Sequence, residues 1–139
     1  MKKLLAILLA LVLALSLCAC GKQAAPGEAG APMVNDGDVI GEGKNSFTLE
    51  IIDGDKNKIT ATIQCDDTIV GDALQAYGII AGEEAEYGLY IKSVNGITAD
   101  YDKDGTYWSF YINGEYAVTG VDMTEIENGA TYTLAVETM

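Results

Sequence analysis

Alternating hydrophobic and polar residues predict two strands near the middle of the chain. Residues 47–51 alternate between apolar and polar side chains, and residues 59–65 do the same. A period of two is the pattern of a strand with one buried face. Between them, residues 53–57 are Asp, Gly, Asp, Lys and Asn, which favour a turn. The pattern therefore predicts a β-hairpin, with Cys65 on its apolar face as a small buried hydrophobic residue.

One helix is predicted after this hairpin, over about residues 68–77. Its apolar residues recur at helical spacing and form one stripe, consisting of Ile69, Val70, Ala73, Leu74, Tyr77 and Ile80. Asp66, Asp67 and Thr68 precede the stripe as candidate caps, and Gly78 follows it as a candidate residue for the end of the helix. We expect this helix to lie across the sheet with its stripe in the core.

Two Asn-Gly pairs in the second half of the chain predict tight hairpins. Asn95-Gly96 and Asn113-Gly114 lie between strand-like segments, and Asn and Gly tolerate the positive φ angles of a type I′ turn. The predicted strand pairs are 89–94 with 97–101 and 107–112 with 115–118, and a last strand is predicted over 131–137. This order of elements favours an α+β fold of β-grasp type, in which a helix packs across an antiparallel or mixed sheet. A generic α+β roll is the alternative.

The first twenty residues resemble a bacterial lipoprotein signal. Two lysines precede an apolar run at residues 4–17, which is shorter than the roughly twenty residues that cross a bilayer. The run ends in Leu-Cys-Ala-Cys, which resembles a lipobox with Cys20 as the modified residue. The resemblance implies that residues 1–19 are removed and that acyl chains on Cys20 anchor the protein to the outer side of a bacterial membrane. An ordinary secretory signal is the alternative.

Residues 20–45 are predicted to be a flexible linker. They contain both prolines of the chain and six of its sixteen glycines, and no hydrophobic period persists through them. The folded domain is accordingly predicted over residues 46–139.

Composition excludes several kinds of chemistry. The 139 residues include 21 acids, eight lysines, no arginine and no histidine, and the formal net charge is −13. Imidazole-dependent catalysis and imidazole metal sites are therefore excluded. An acidic surface also repels the phosphate backbone, so no nucleic-acid partner is expected. We expect a binding module rather than an enzyme, and no catalytic residues.

The second half of the chain is rich in tyrosine. Trp108, Phe110 and Ile112 share one face of a predicted strand, and tyrosines occupy the other. Exposed rings stack on flat ligands, whereas the high β-propensity of tyrosine is the plainer explanation. The candidate ligand-binding residues are Tyr87, Tyr90, Tyr107, Trp108, Tyr111 and Tyr116, with burial of Trp108 in the core as the alternative.

Asp100, Asp102 and Asp104 match the first half of an EF-hand loop, D-x-D-x-D-G. Position twelve is Tyr111, where an EF-hand needs a bidentate Glu, and the flanking residues predict strands rather than helices. A weak calcium site and a solvated acidic turn both remain open. No other cofactor is predicted.

Three motifs together resemble a known family. They are V-G-D-A-L at residues 70–74, Y-W-S-F at 107–110 and I-N-G-E at 112–115. The combination resembles a bacterial domain family of unknown function that is described as similar to the C-terminal domain of transcobalamin and intrinsic factor. The resemblance covers about residues 46–139 and implies a β-grasp domain that binds a small molecule such as cobalamin or another corrinoid.

The resemblance also carries an expectation about partners. In the animal carriers this domain closes over cobalamin together with an α/α barrel, and we expect a membrane transporter to supply the second wall here. Because the chain has no histidine, cobalamin would keep its own lower base. The sequence thus predicts a lipid-anchored extracytoplasmic protein that binds a small molecule and delivers it to an importer. A cell-surface interaction or adhesion domain that contacts protein or glycan is the alternative.

Overall fold

The computed structural model describes residues 34–139. The predicted signal at 1–19, Cys20 and the linker as far as residue 33 lie outside these residues. Within residues 34–139, no helix has both the length and the apolar character needed to cross a bilayer.

Nine strands and two short helices make up the described part of the chain. The strands are β1 (Val39–Gly41), β2 (Asn45–Ile52), β3 (Lys58–Cys65), β4 (Ile80–Ala85), β5 (Gly88–Val94), β6 (Ile97–Thr98), β7 (Thr106–Ile112), β8 (Glu115–Tyr116) and β9 (Thr131–Thr138). The helices are α1 (Val70–Ala76) and α2 (Tyr101–Asp104), and a 3₁₀ turn spans Val121–Met123. Two sheets and few helices give a mostly-sheet α+β fold, which confirms the fold class at this level.

The larger sheet has six strands in the order β1-β3-β2-β9-β7-β8. The predicted hairpin of β2 and β3 is confirmed, with Phe47 opposite Ile63 and Leu49 opposite Ala61. Strand β9 lies between β2, with which it is parallel, and β7, with which it is antiparallel. The last strand therefore joins the two halves of the sheet.

Tyr132 lies at the centre of the core. Its ring meets Phe47 edge-on at 5.2 Å between centroids and stacks with Phe110 at 6.0 Å. Its hydroxyl accepts from the backbone N–H of Glu127 at 3.0 Å and donates to the carbonyl of Glu125 at 3.1 Å. The alternation of apolar and polar side chains predicted one buried face for each of β2, β3, β7 and β9. The three aromatic rings lie on these buried faces.

Helix α1 is shorter than predicted, and its beginning differs. Val70, Ala73 and Leu74 are buried as the stripe predicts, and Gly78 follows the helix with φ of 68°. The predicted side-chain caps are wrong. The cap position is Ile69, which makes no side-chain cap, and the carbonyl of Thr124 accepts from the N–H of Val70 instead. A carbonyl from a distant segment thus replaces the local oxygens.

The smaller sheet, β4-β5-β6, is only partly predicted. Both Asn-Gly turns are confirmed, with φ of 51° at Asn95 and 49° at Asn113. Ile80, the last residue of the predicted apolar stripe, does not belong to the helix face but begins β4, which pairs along β5. Strands β6 and β8 contain two residues each, so the hairpins end earlier than predicted.

The predicted linker includes residues that belong to the fold. Val34 is 1% exposed, and its backbone makes two hydrogen bonds with the side-chain amide of Asn95. Residues Val39–Gly41 form β1, which runs parallel to β3. The domain boundary at residue 46 is therefore too late. The short strand has too few residues to show a period, which is why composition alone favoured a linker there.

Candidate functional site

Two of the predicted ligand-binding residues, Tyr90 and Tyr107, meet in an open cleft beside α2. The cleft measures about 430 Å³ and is lined by Tyr90, Tyr101, Asp102, Tyr107 and Met139. We call it the tyrosine cleft. Tyr90 and Tyr101 are 40% and 46% exposed, so their rings present faces to solvent. Tyrosine rings combine an apolar face with a polar hydroxyl and suit a flat, partly polar ligand.

A hydrogen bond to Glu137 holds the side chain of Tyr107 in place. Its hydroxyl donates to Glu137 Oε2 at 3.2 Å, and the hydroxyl of Tyr111 donates to Glu137 Oε1. Ser109 and Ala135 lie between these positions in the strand register and are buried, although they face away from the core. The two tyrosine side chains therefore cover the small residues between them and form a layer on the outer face of the sheet.

Glu137 also contributes to raising the pKa of the two phenols. Burial and the hydrogen bond to Glu137 raise the pKa of Tyr107 above its ordinary value. The hydrogen bond to Glu137 and burial raise the pKa of Tyr111. A carboxylate that accepts from a phenol favours the protonated phenol, so both hydroxyls remain donors across the physiological range.

A second cleft lies between the two sheets. It measures about 170 Å³ and is bordered by Leu89, Tyr90 and Ile91 of β5, by Trp108, Ser109 and Phe110 of β7, and by residues 116–121 except Val118. We call it the inter-sheet cleft. Tyr90 borders both clefts. Trp108 is 8% exposed and belongs to the core cluster, which confirms the alternative prediction of its burial in the core.

Two buried polar atoms near this cleft have no hydrogen-bond partner among residues 34–139. They are Trp108 Nε1 and Asp122 Oδ1. Buried polar groups are nearly always paired, because an unpaired one loses its hydration without compensation.

The remaining candidates are spread over the surface. Tyr111 and Tyr116 meet edge-on at 5.5 Å between centroids, and Tyr116 also borders the inter-sheet cleft. Tyr87 is 87% exposed at the turn between β4 and β5 and lines neither cleft. The structure thus divides the predicted single platform between the two clefts and leaves Tyr87 apart. Tyr111 lines neither of these clefts and borders a third one, beside Glu50 and Glu137.

The acidic segment forms the short helix α2 rather than an open loop. Asp100 caps it by accepting from the N–H of Asp102 at 3.1 Å, and Gly105 ends it with φ of 71°. Asp104 accepts from the N–H and hydroxyl of Thr106, which lowers the pKa of that carboxyl. Among residues 34–139, no three His, Cys, Asp or Glu side chains converge to hold a metal ion. The three aspartates are thus not brought together as calcium ligands.

Sequence patterns missed three residues of this region: Glu137, Asp122 and Met139. Glu137 becomes visible only when β7 is paired with β9, which places it directly opposite Tyr107. Asp122 lies in the 3₁₀ turn Val121–Met123, which is too short to show a period. Met139 lies beyond the last strand, where no pattern applies.

A family model described as "Domain of unknown function (DUF4430)" matches residues 66–138, more than half of the chain. Among curated proteins, none matches. Matching solved structures include a protein from Ruminococcus gnavus ATCC 29149 described as a "putative metal binding protein". It is 28% identical, with a TM-score of 0.65, and the match covers 69% of this chain and 99% of that chain.

Haptocorrin in complex with Cbi also matches, at 20% identity and a TM-score of 0.51. The match covers 68% of this chain and 25% of the haptocorrin chain, so the chain spans about a quarter of that protein's length. At this identity the similarity shows a shared fold. It confirms the resemblance to the cobalamin carriers at the level of the fold.

Proposed function

The chain belongs to the DUF4430 family of domains of unknown function, and we propose that this member binds a small molecule of corrinoid type at the outer face of a bacterial membrane. The tyrosine cleft is the observation that carries the proposal. Its volume falls within the range of about 300–1,000 Å³ that is typical of ligand sites, and its aromatic walls are exposed. The fold shared with haptocorrin, in our reading a β-grasp variant, supports the same ligand class.

An open cleft of this size covers only part of a corrinoid. The proposal therefore includes a second wall, supplied by a membrane transporter that receives the ligand. The acyl anchor on Cys20 would keep the domain beside such a transporter. With no histidine in the chain to displace the lower base, bound cobalamin keeps its own base in place.

Calorimetric titration of the full chain in detergent with cyanocobalamin tests the ligand. We expect saturable heat from the wild type and about tenfold weaker binding for Tyr90→Ala, since one stacked aromatic contact contributes roughly 0.5–1.5 kcal/mol beyond its buried area. Tyr87→Ala is the matched control, because Tyr87 is an exposed tyrosine that lines neither cleft. No heat at micromolar protein, or equal losses in both variants, would contradict the proposal.

The anchor is tested separately. Mass spectrometry of the membrane fraction should find a mature chain that begins at an acylated Cys20, and Cys20→Ser should release the protein from that fraction. An unmodified product would overturn the anchor and leave the ligand proposal standing.

A second candidate function, contact with protein or glycan at the cell surface, is favoured by the hairpin of β7 and β8. Val118 is 99% exposed and Tyr116 is 63% exposed there, so an apolar surface faces solvent. Val118→Ser should weaken attachment of cells or glycans while leaving the cyanocobalamin titration unchanged.

A further inference from the structure

We propose that the third cleft, on the outer face of the six-stranded sheet, binds an uncharged sugar unit of a glycan. The cleft measures about 290 Å³, and its lining includes Glu50, Lys56, Tyr111, Thr133, Ala135 and Glu137. We call it the sheet-face cleft. It shares no lining residue with the tyrosine cleft, so sugar binding here goes beyond the corrinoid-binding function and does not depend on it.

Strand pairing brings the lining residues of three strands to one face of the sheet. Thr133 of β9 lies between Glu50 of β2 and Tyr111 of β7, and Ala135 lies opposite Ile52. Residues two apart on a strand point to the same face, so all five side chains lie on the outer side. Ala135 has the smallest of these side chains. The surface is therefore recessed above Ala135, and its longer neighbours form the walls.

The ring of Tyr111 forms one long wall of the sheet-face cleft. Its Cα lies opposite Thr133, but its hydroxyl donates to Glu137, which is four residues further along β9. The side chain therefore lies along the strands beside Ala135, and the hydrogen bond to Glu137 holds it there. A pyranose ring has apolar C–H groups on its face and hydroxyls at its edge, so it suits an aromatic wall beside an apolar floor.

Opposite charges line the sheet-face cleft without pairing with each other. Glu50 pairs with Lys58 at 3.2 Å, whereas Lys56 and Glu137 form no ion pair within residues 34–139. An anionic ligand would meet the carboxylate of Glu137, and a cationic ligand would meet the ammonium group of Lys56. The balance of charges therefore favours an uncharged ligand over either kind of ion.

Both unpaired charges keep hydrogen-bonding capacity for such a ligand. Lys56 Nζ carries three donors, and its one hydrogen bond among the described residues is a 3.5 Å contact with the carbonyl of Val136. Each oxygen of Glu137 accepts from one phenol, that of Tyr107 or Tyr111, and has a further lone pair. A hydroxyl both donates and accepts, so neighbouring hydroxyls of a sugar match the two groups together.

A zwitterion also carries both charges, but it fits this surface less well. The sheet-face cleft is open to solvent, where ion pairs contribute little because water screens them. A small zwitterion would also leave the ring of Tyr111 and the apolar floor uncovered. The apolar face of a sugar covers both, which is why we assign a sugar to the cleft.

Titration with sugars that differ in charge tests the proposal. The uncharged probes are methyl glucoside, methyl galactoside and methyl mannoside, and the charged ones are glucosamine and glucuronate. We expect at least one uncharged probe, added to the full chain in detergent, to shift the amide resonances of Thr133 and Ala135 saturably, with a dissociation constant of about 1 mM. No saturable shift from any uncharged probe, or equal binding of the charged ones, would overturn the proposal. Tighter binding of glycine betaine than of every sugar would overturn it as well.

Two variants with matched controls locate the sugar in this cleft. Tyr111→Ala should weaken binding about tenfold because the aromatic wall is lost, and Tyr87→Ala removes an exposed ring that does not line the cleft. Lys56→Met leaves an excess of negative charge, so glucosamine should then bind more tightly than the uncharged probe. Lys103→Met removes an exposed lysine on α2 and should leave the order of probes unchanged. Should Tyr111→Ala not fold, the reversal in Lys56→Met decides, since Lys56 is exposed in the turn between β2 and β3.

The cyanocobalamin titration separates this site from the corrinoid proposal. Sugar binding without heat from cyanocobalamin would support the sheet-face site and refute the corrinoid, and the opposite pair of results would refute the sheet-face site alone. Tyr90→Ala should weaken cyanocobalamin binding and leave the sugar response unchanged, whereas Lys56→Met should do the reverse. A sugar response that Tyr90→Ala abolishes would show that the sugar binds in the tyrosine cleft, and would overturn the proposal.

Discussion

Tyr107 donates a 3.2 Å hydrogen bond to Glu137, the residue directly opposite it on β9. Tyr111 donates to the second oxygen of the same carboxylate. One glutamate therefore fixes two aromatic rings, and one of these rings forms a wall of the tyrosine cleft. A ring already held in place loses less rotational freedom when a ligand stacks on it, so this contact supports the binding role that we propose for the cleft.

The first prediction concerns alkaline pH and Glu137. Both phenols have a pKa raised above the ordinary value of about 10, for Tyr107 by burial and Glu137 and for Tyr111 by Glu137 and burial. Below pH 10 the phenols are protonated in the folded and the unfolded chain alike. Above it the unfolded chain loses these protons first, so the free energy of unfolding falls as pH rises.

Glu137→Gln should reduce this loss, because the amide neither repels a phenolate nor carries the charge that favours the protonated phenol. Urea unfolding at pH 8, 10 and 11 measures the effect. Asp72→Asn, an exposed carboxylate on α1, is the control and should follow the wild type. An identical pH dependence for Glu137→Gln and the wild type would contradict the prediction.

The second prediction concerns the buried hydroxyl of Tyr132. Tyr132→Phe leaves the N–H of Glu127 and the carbonyl of Glu125 without this partner. We expect the free energy of unfolding to fall by about 1–2 kcal/mol, the usual cost of unpairing such groups. Urea unfolding of Tyr132→Phe beside Tyr87→Phe, whose ring is exposed, separates this loss from a general effect of removing a hydroxyl.

Local patterns predicted the parts of the fold in which local and tertiary preferences agree. The alternation at Phe47 and Leu49 and the turn at Asn113-Gly114 are examples, because period and turn chemistry alone decide them. Strand β4 was missed since only Ile80 is buried and its exposed residues, Ala-Gly-Glu-Glu-Ala, show no alternation of apolar and polar side chains. Its pairing with β5 stabilises a strand that its own sequence does not predict.

The site was harder to predict than the fold because it depends on pairs from distant parts of the chain. Tyr107 was a candidate on composition, but its partner Glu137 lies thirty residues away. Tyr87 has the same side chain and belongs to neither cleft, a difference that only its place in a turn explains. Residue type predicted the chemistry of the surface, whereas strand pairing decided which rings take part.

The third prediction concerns calcium and the acidic helix α2. Asp100 already caps the helix and Asp104 already binds Thr106, so neither carboxylate is free to turn toward a shared ion without losing these bonds. We expect thermal melts in millimolar calcium and in chelator to have the same midpoint. A calcium-dependent rise that Asp102→Asn abolishes would show that the helix opens into a metal-binding loop.

The last prediction compares the two Asn-Gly turns. Asn95 and Asn113 occupy the same turn position with φ of 51° and 49°, but Asn95 is 3% exposed and bonds to both backbone groups of Val34. Asn113 is exposed and accepts from the N–H of Thr131. Replacing either with glycine keeps the positive φ and adds the same freedom to the unfolded chain.

Asn95→Gly should therefore lower the free energy of unfolding by about 1–3 kcal/mol more than Asn113→Gly, because buried groups of Val34 lose their partner. Urea unfolding of both variants gives the difference directly. Hydrogen exchange at Val34 should also become faster in Asn95→Gly alone, since this amide is held by the Asn95 side chain. Equal stability of the two variants would mean that the contact between Asn95 and Val34 adds nothing to the stability of the fold.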